Sequence, residues 1–196
     1  MRVVLATKNK GKVKEFNKYL QEIGWEVISL DQFPEIPAII EDGNSFSENA
    51  IKKATTVMLA TGFTAIADDS GIIVDALDGR PGIYSARYAG ENATDEENNL
   101  KLLAELQAVP DEARTAKFVT SIAFVSPDNN EPIVFNGECN GVILNAPIGD
   151  GGFGYDPLFY IPSEGQTMAE LSLERKNQIS HRAMALISMK KFFRTH

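Results

Sequence analysis

Short apolar runs alternate with amphipathic stretches along this chain, and the alternation predicts an α/β fold. Residues 3–6 form a continuous apolar run, the pattern of a strand buried on both faces. Residues 13–23 repeat at helical spacing, with Phe16, Tyr19, Leu20 and Ile23 on one face and Gly24 as a stop. Residues 25–30 read as a second strand, and residues 31–40, with Pro34 and Pro37, as a connecting loop. Ser45 and Glu48 have capping-box spacing and open a helix that runs towards Ala60, with Gly62 just beyond it. Residues 63–67 and 72–77 read as two further strands.

Beyond a loop over residues 79–90, Thr94 and Glu97 form a second capping-box pattern. The helix they open carries Leu100, Leu103 and Leu106 on its apolar side. Residues 117–125, 133–139 and 141–144 are predicted strands, the first two joined by a turn at Asp128–Glu131. So short a connection implies antiparallel pairing, and the sheet is expected to be mixed. Residues 147–156 form a glycine-rich loop, and a last helix is expected over about residues 178–193. No repeat, low-complexity tract or linker divides the chain, so residues 1–196 are expected to form one domain.

Composition narrows the partners. With 43% hydrophobic residues the chain can bury a core, but its formal net charge is −8. A polyanion would be repelled, which argues against general DNA or RNA binding and makes local lysine clusters more informative. One cysteine, Cys139, excludes an internal disulfide; it is expected to be inert packing in a reducing cytosol. The N-terminus has no signal-peptide pattern and no apolar run approaches the length that spans a bilayer, so a cytoplasmic location is expected.

Four places carry candidate chemistry. Thr7, Lys8, Asn9, Lys10, Gly11 and Lys12 follow a strand and lead into a helix, where backbone N–H groups and ammonium groups suit a polyphosphate. This is not a P-loop, and a solvated lysine-rich turn explains it equally well. Asp68 and Asp69, before Ser70 and Gly71, are paired acids at the end of a predicted strand. One suits a turn and the other Mg²⁺, but alternation on a strand leaves open which faces a site. Glu41, Glu48 and Lys53 flank or lie on the second helix; capping accounts for Glu48, and Lys53 falls five residues later, off an ideal shared face. Finally, Phe153, Gly154, Tyr155 and Asp156 follow two glycines, a setting for stacking on a flat base or for one aromatic tucked into the core. Lys176, His181 and Arg182 add donors, and Ser180 also reads as a helix cap.

Taken in order, these blocks resemble the inosine/xanthosine triphosphate pyrophosphatases. The resemblance rests on residues 7–12, Glu41-Asp42-Gly43 with Phe46-Ser47-Glu48-Asn49-Ala50, residues 67–71, residues 81–88, residues 151–157 and Ile179-Ser180-His181-Arg182. It implies an elongated two-lobed α/β domain around a long mixed sheet with a central cleft, and a homodimer. It also implies Mg²⁺-dependent hydrolysis of ITP, dITP and XTP to the monophosphate and pyrophosphate. By resemblance, Glu41 and Asp69 hold the metal and Asp69 activates water. Residues 7–12 and Lys53 bind the triphosphate, and Ser70 contacts the substrate. Phe153 stacks on the base, while Asp156, Lys176, His181 and Arg182 read its edges. A related pyrophosphatase for modified pyrimidine nucleotides is a second reading, against which the Ser-His-Arg run argues. A nucleotide sensor without turnover is a third, against which Asp69 and the lysine-rich turn argue.

Overall fold

A computed structural model describes residues 1–33 and 36–195 of the chain. Its seven strands form a mixed sheet in the order β2-β1-β3-β4-β5-β6-β7. The strands are β1 (Arg2–Leu5), β2 (Glu26–Ser29), β3 (Ala65–Val74), β4 (Thr115–Ser126), β5 (Asn129–Ile143), β6 (Phe159–Ile161) and β7 (Gln166–Thr167). The helices are α1 (Lys10–Gln21), α2 (Phe46–Thr61), α3 (Asp95–Glu105), α4 (Leu173–Ile179) and α5 (His181–Thr195). β1 pairs in parallel with β2 and β3, whereas β6 pairs antiparallel with β5 and β7. The expected mixed α/β sheet is therefore present.

The chain divides into two compact units. The first comprises Met1–Asp69, Thr120–Gly137 and Arg182–His196; the second comprises Ser70–Val119 and Glu138–His181. In the first unit the sheet separates two apolar layers. Val3, Leu5, Ile66, Ile122 and Phe124 pack with Phe16 and Leu20 of α1 and with Ala183, Leu186 and Met189 of α5. On the other layer Ala67 and Ala123 pack with Ala50 and Ala54 of α2, and Ala65 packs with Val57. In the second unit one core joins Ile72, Val74, Phe118, Ile143 and Phe159 to Leu102 and Leu106.

Several elements differ from expectation, each for a local reason. α1 starts at Lys10 because Asn9 caps it, its Oδ1 accepting from the N–H groups of Gly11 and Lys12. The strands expected over 63–67 and 72–77 are one strand, β3, and Asp75–Leu77 is a 3-10 turn. The acid pair does not interrupt β3 because both carboxylates are buried with charged partners. Strands 133–139 and 141–144 are likewise one, β5. Gly141 permits this: a Cβ there would lie 2.6 Å from the Phe159 ring and from the Tyr160 carbonyl. The turn between β4 and β5 is shorter than expected, since β5 begins at Asn129.

In α3 the Thr94–Glu97 capping box forms, but the buried positions are Asn98 and Leu102, while Leu100 is exposed. The expected last helix is two helices, α4 and α5, separated by Ser180 in an extended conformation. Ser45 caps α2, yet Glu48 accepts from the N–H of Asn44 rather than completing a box with Ser45. In the expected loop over 31–40, Pro34 and Glu35 lie outside the described residues, and Leu30–Gln32 is a 3-10 turn. Among the described residues no helix is long and apolar enough to cross a membrane. Cys139 is buried, and burial pushes its thiol up to about 11, as expected of inert packing.

Candidate active site

β3 organises the first unit's polar centre. Successive side chains on a strand point to opposite faces, so Asp68 follows Ile66 towards α1 and α5 while Asp69 follows Ala67 towards α2. Asp68 receives Lys12 Nζ at 2.9 Å and Arg182 Nε at 3.3 Å. Arg182 is held from its other side by Glu15, with Nη1 to Oε2 at 2.8 Å. Burial opposes the Asp68 carboxylate charge, but the Lys12 ammonium and the Arg182 guanidinium together hold its pKa well below the usual range.

On the opposite face Asp69 accepts from Lys53 Nζ at 2.8 Å and from Asn49 Nδ2 at 3.2 Å. Lys53 Nζ also reaches Glu41 Oε1 at 3.2 Å, so two carboxylates converge on one cation. Burial pushes Asp69 above the ordinary carboxylate range despite Lys53. Burial acts against the Lys53 ammonium, but Asp69 and Glu41 overcome it and raise its pKa. Both groups lean towards keeping a proton, the condition of a carboxylate suited to accept one near neutrality.

The loop carrying Glu41 runs back along the start of α2 in register with it. Glu48 accepts from the N–H of Asn44, Asn49 Oδ1 accepts from the N–H of Gly43 at 2.8 Å, Lys52 pairs with Asp42, and Lys53 pairs with Glu41. The five-residue offset between Glu48 and Lys53 is thus no obstacle. Glu48 and Lys52 hold one edge of the loop, and Asn49 and Lys53, one helical turn apart, hold the other.

In the predicted phosphate turn, Thr7 Oγ1 accepts from the N–H of Asn9. Asn9 itself occupies two of the N–H groups that open α1. The side chain of Lys10 lies outside the described residues. Lys8 is exposed and lines, with Leu30, Phe33, Ile36 and Ile39, a cavity of about 350 Å³.

The second unit gathers a different set. Asp156 Oδ2 accepts from Lys176 Nζ at 3.0 Å and from the N–H of Phe153. Phe153 is 48% exposed. Gly152 has φ +82°, and a Cβ there would fall 2.0 Å from Asp156 Oδ2. Asp95 and Asn99 of α3 hold Gly154 by its N–H and its carbonyl. Tyr155 is the tucked aromatic of this loop: its ring is in the core and its hydroxyl donates to the Ser85 carbonyl. Ser85 in turn accepts from the N–H of Ile72, which explains the place of residues 81–88 among the motifs. His181 stacks on Phe118 at 5.0 Å and 20°. Ser70 is half-buried in β3.

Sequence reasoning missed Glu15, Asn49, Asp95 and Asn99. Glu15 had a signal, since on α1 it sits three residues after Lys12 and shares its face. Asn49 had a weaker one: a polar amide on the helix face that also carries Ala50 and Ala54 requires buried partners.

Comparison with known proteins agrees with this arrangement. The Ham1 family matches residues 3–192. A dITP/XTP pyrophosphatase of Geobacter sulfurreducens is 55% identical over 96% of this chain and 94% of its own length. One of Desulforamulus reducens is 54% identical over 95% of this chain and 92% of its own. Among solved structures, a HAM1 protein from Coxiella burnetii superposes with a TM-score of 0.93 at 41% identity, covering 100% of both chains. The Staphylococcus aureus Ham1 protein superposes at 0.90 with 43% identity, over 100% of this chain and 99% of its own. A match over nearly every residue of the described fold means that this chain belongs to the Ham1 family.

Proposed function

We propose that the protein hydrolyses deaminated purine nucleoside triphosphates (ITP, dITP and XTP) to the monophosphate and pyrophosphate, clearing them from the nucleotide pool. The observation that carries this reading is the convergence of Glu41 and Asp69 on the single cation of Lys53. Relatives of similar length named as dITP/XTP pyrophosphatases support the substrate class.

The donor set fits Mg²⁺. It offers carboxylate oxygens, and among the described residues no group of three or more acidic, histidine or cysteine side chains forms a closed cage. Mg²⁺ prefers that situation, taking one or two carboxylates and completing its shell with water and phosphate oxygens. Glu41 and Asp69 would hold it, and it would offset the charge that develops on the leaving pyrophosphate. Lys12 and Lys53 bind the triphosphate, with Thr7, Lys8, Asn9, Lys10 and Gly11 beside them. Asp69 accepts the proton of the attacking water on a carboxylate oxygen. Asp68 is a clamp on Lys12 and Arg182 and takes no proton from water. Ser70 contacts the substrate, Phe153 stacks on the base, and Asp156, Lys176 and His181 meet its edges together with Arg182. Gly154 and Tyr155 shape the loop.

The chain acts as one functional domain, as a homodimer, in a reducing cytoplasm. Light scattering at micromolar concentration tests the dimer; a mass of 21.5 kDa alone rejects it. Purified protein with ITP and Mg²⁺ should release pyrophosphate and IMP. Release of orthophosphate and IDP would sink the reading, and binding of ITP with no product at all would favour a sensor.

A further inference from the structure

Asn49 is 1% exposed and makes two bonds that no capping or packing role requires. Its Nδ2 donates to Asp69 Oδ2 at 3.2 Å, and its Oδ1 accepts from the N–H of Gly43 at 2.8 Å. One amide therefore joins β3 to the loop that carries Glu41 two residues before Gly43. Every other contact between α2 and that loop is ionic or lies at the more exposed edge. Gly43 is matched to this contact, because a Cβ there would sit 2.7 Å from Asn49 Oδ1 and 2.9 Å from Glu48 Cβ. Lys53 cannot set the distance between the two carboxylates in the same way. It is a flexible ammonium on a four-carbon stem, and a divalent ion would compete with it for both oxygens. The neutral amide has no such competition.

We propose that Asn49 is the positioning residue of the metal site: it fixes the carboxylate of Asp69 and the backbone of the Glu41 loop in one frame, so that both oxygens are presented together. The proposal rests on Glu41 and Asp69 being the metal ligands. Asn49 touches neither metal nor substrate. Its amide leaves Asp69 Oδ1, the oxygen that faces Lys53, available while tying Oδ2. Outer partners that orient metal ligands typically contribute about 10–100-fold to affinity.

The test is a calorimetric or paramagnetic-resonance titration of metal-free, nucleotide-free protein with Mn²⁺ alone. Wild type and Asp69→Asn come first: equal Mn²⁺ binding by the two removes Asp69 as a ligand and the metal reading with it. With that reading intact, Asn49→Ala should weaken Mn²⁺ binding at least about tenfold. It should also raise the Mg²⁺ concentration giving half-maximal ITP hydrolysis by a similar factor, with kcat recovering at high Mg²⁺. Recovery by metal is what a merely structural role would not give. Ser47→Ala, on the same helix and bonded to Ser121, should leave both values within about twofold, well short of that tenfold effect. Should Asn49→Ala fail to fold by circular dichroism, Gly43→Ala decides, since it pushes the loop off the amide and leaves the Asp69 bond in place; it too should weaken Mn²⁺ binding. Unchanged Mn²⁺ affinity in whichever variant folds, or activity that no Mg²⁺ concentration restores, overturns the proposal.

Discussion

Replacing Asp68 by asparagine separates a clamp from a catalyst. The change preserves shape and removes one charge from a carboxylate that is 4% exposed and meets both Lys12 and Arg182. The two cations do not suffer equally. The Lys12 side chain is 20% exposed and recovers hydration, whereas that of Arg182 is 4% exposed and keeps only Glu15. Removing one member of a buried pair costs about 3–5 kcal/mol, because the other charge is left uncompensated. The retained Glu15 contact places Asp68→Asn at the low end, about 3 kcal/mol. For a chain of this size that lowers Tm by about 6–12 °C. Glu15→Gln leaves Arg182 its Asp68 contact and should cost only about 1–2 kcal/mol.

The pH dependence has a definite sign. The pKa of Asp68 is depressed in the folded state, so its contribution is complete above the unfolded value of about 3.9 and is lost as the pH falls through it towards the folded value. Wild type should therefore lose its advantage over Asp68→Asn on acidification. The assay is thermal melting of both proteins from neutral pH down to the acid limit of reversible folding. A neutral-pH Tm within about 2 °C of wild type would contradict the buried-pair argument. So would a gap that widens as the pH falls.

Three other outcomes follow from the geometry. Asp69→Asn should reduce ITP turnover at least about a hundredfold with an unchanged circular dichroism spectrum, while Asp68→Asn loses less; the reverse order would exchange their roles. Gly152→Ala places a Cβ against Asp156 and Lys176 at a left-handed φ. It should cost about 1–2 kcal/mol by denaturant melting and raise KM for ITP more than it lowers kcat. ITP should exceed ATP in kcat/KM by at least about tenfold, because the 6-amino group of adenine would face donors such as Lys176 where inosine offers an acceptor. A ratio near one, or one that Lys176→Ala leaves unchanged, would remove the donor argument.

The sequence disclosed the element order and most motif positions, but it placed the central acids wrongly at a strand end. An apolar run followed by two aspartates ordinarily signals termination, because lone buried carboxylates are costly. Here the partners come from residues distant in the chain: Lys12 lies 56 positions from Asp68, and Arg182 lies 114. Local pattern carries no trace of such pairs. The same limit hid Leu102, since three leucines at spacing three suggested the wrong stripe of α3, and it hid the break at Ser180 between α4 and α5.

The face assignment of the two aspartates was nevertheless within reach of the sequence. Along β3, Ala65, Ala67 and Asp69 share one side, and Ile66 and Asp68 share the other. Small residues let a helix approach a sheet closely, and α2 carries Ala50 and Ala54, which pack with Ala67 and Ala123. That close approach is what lets a buried lysine one turn after Asn49 reach the strand, so the alanine side is the side on which α2 can hold Asp69. The bulky side, with Ile66, packs against the larger residues Phe16 and Leu20 of α1. There Asp68 is met only by the long side chains of Lys12 and Arg182. Side-chain volume on the two faces thus sorts two identical neighbouring acids into different chemistry. The one beside alanines sits among short, fixed contacts suited to holding an ion. The one beside isoleucine sits among long cations whose charge it neutralises.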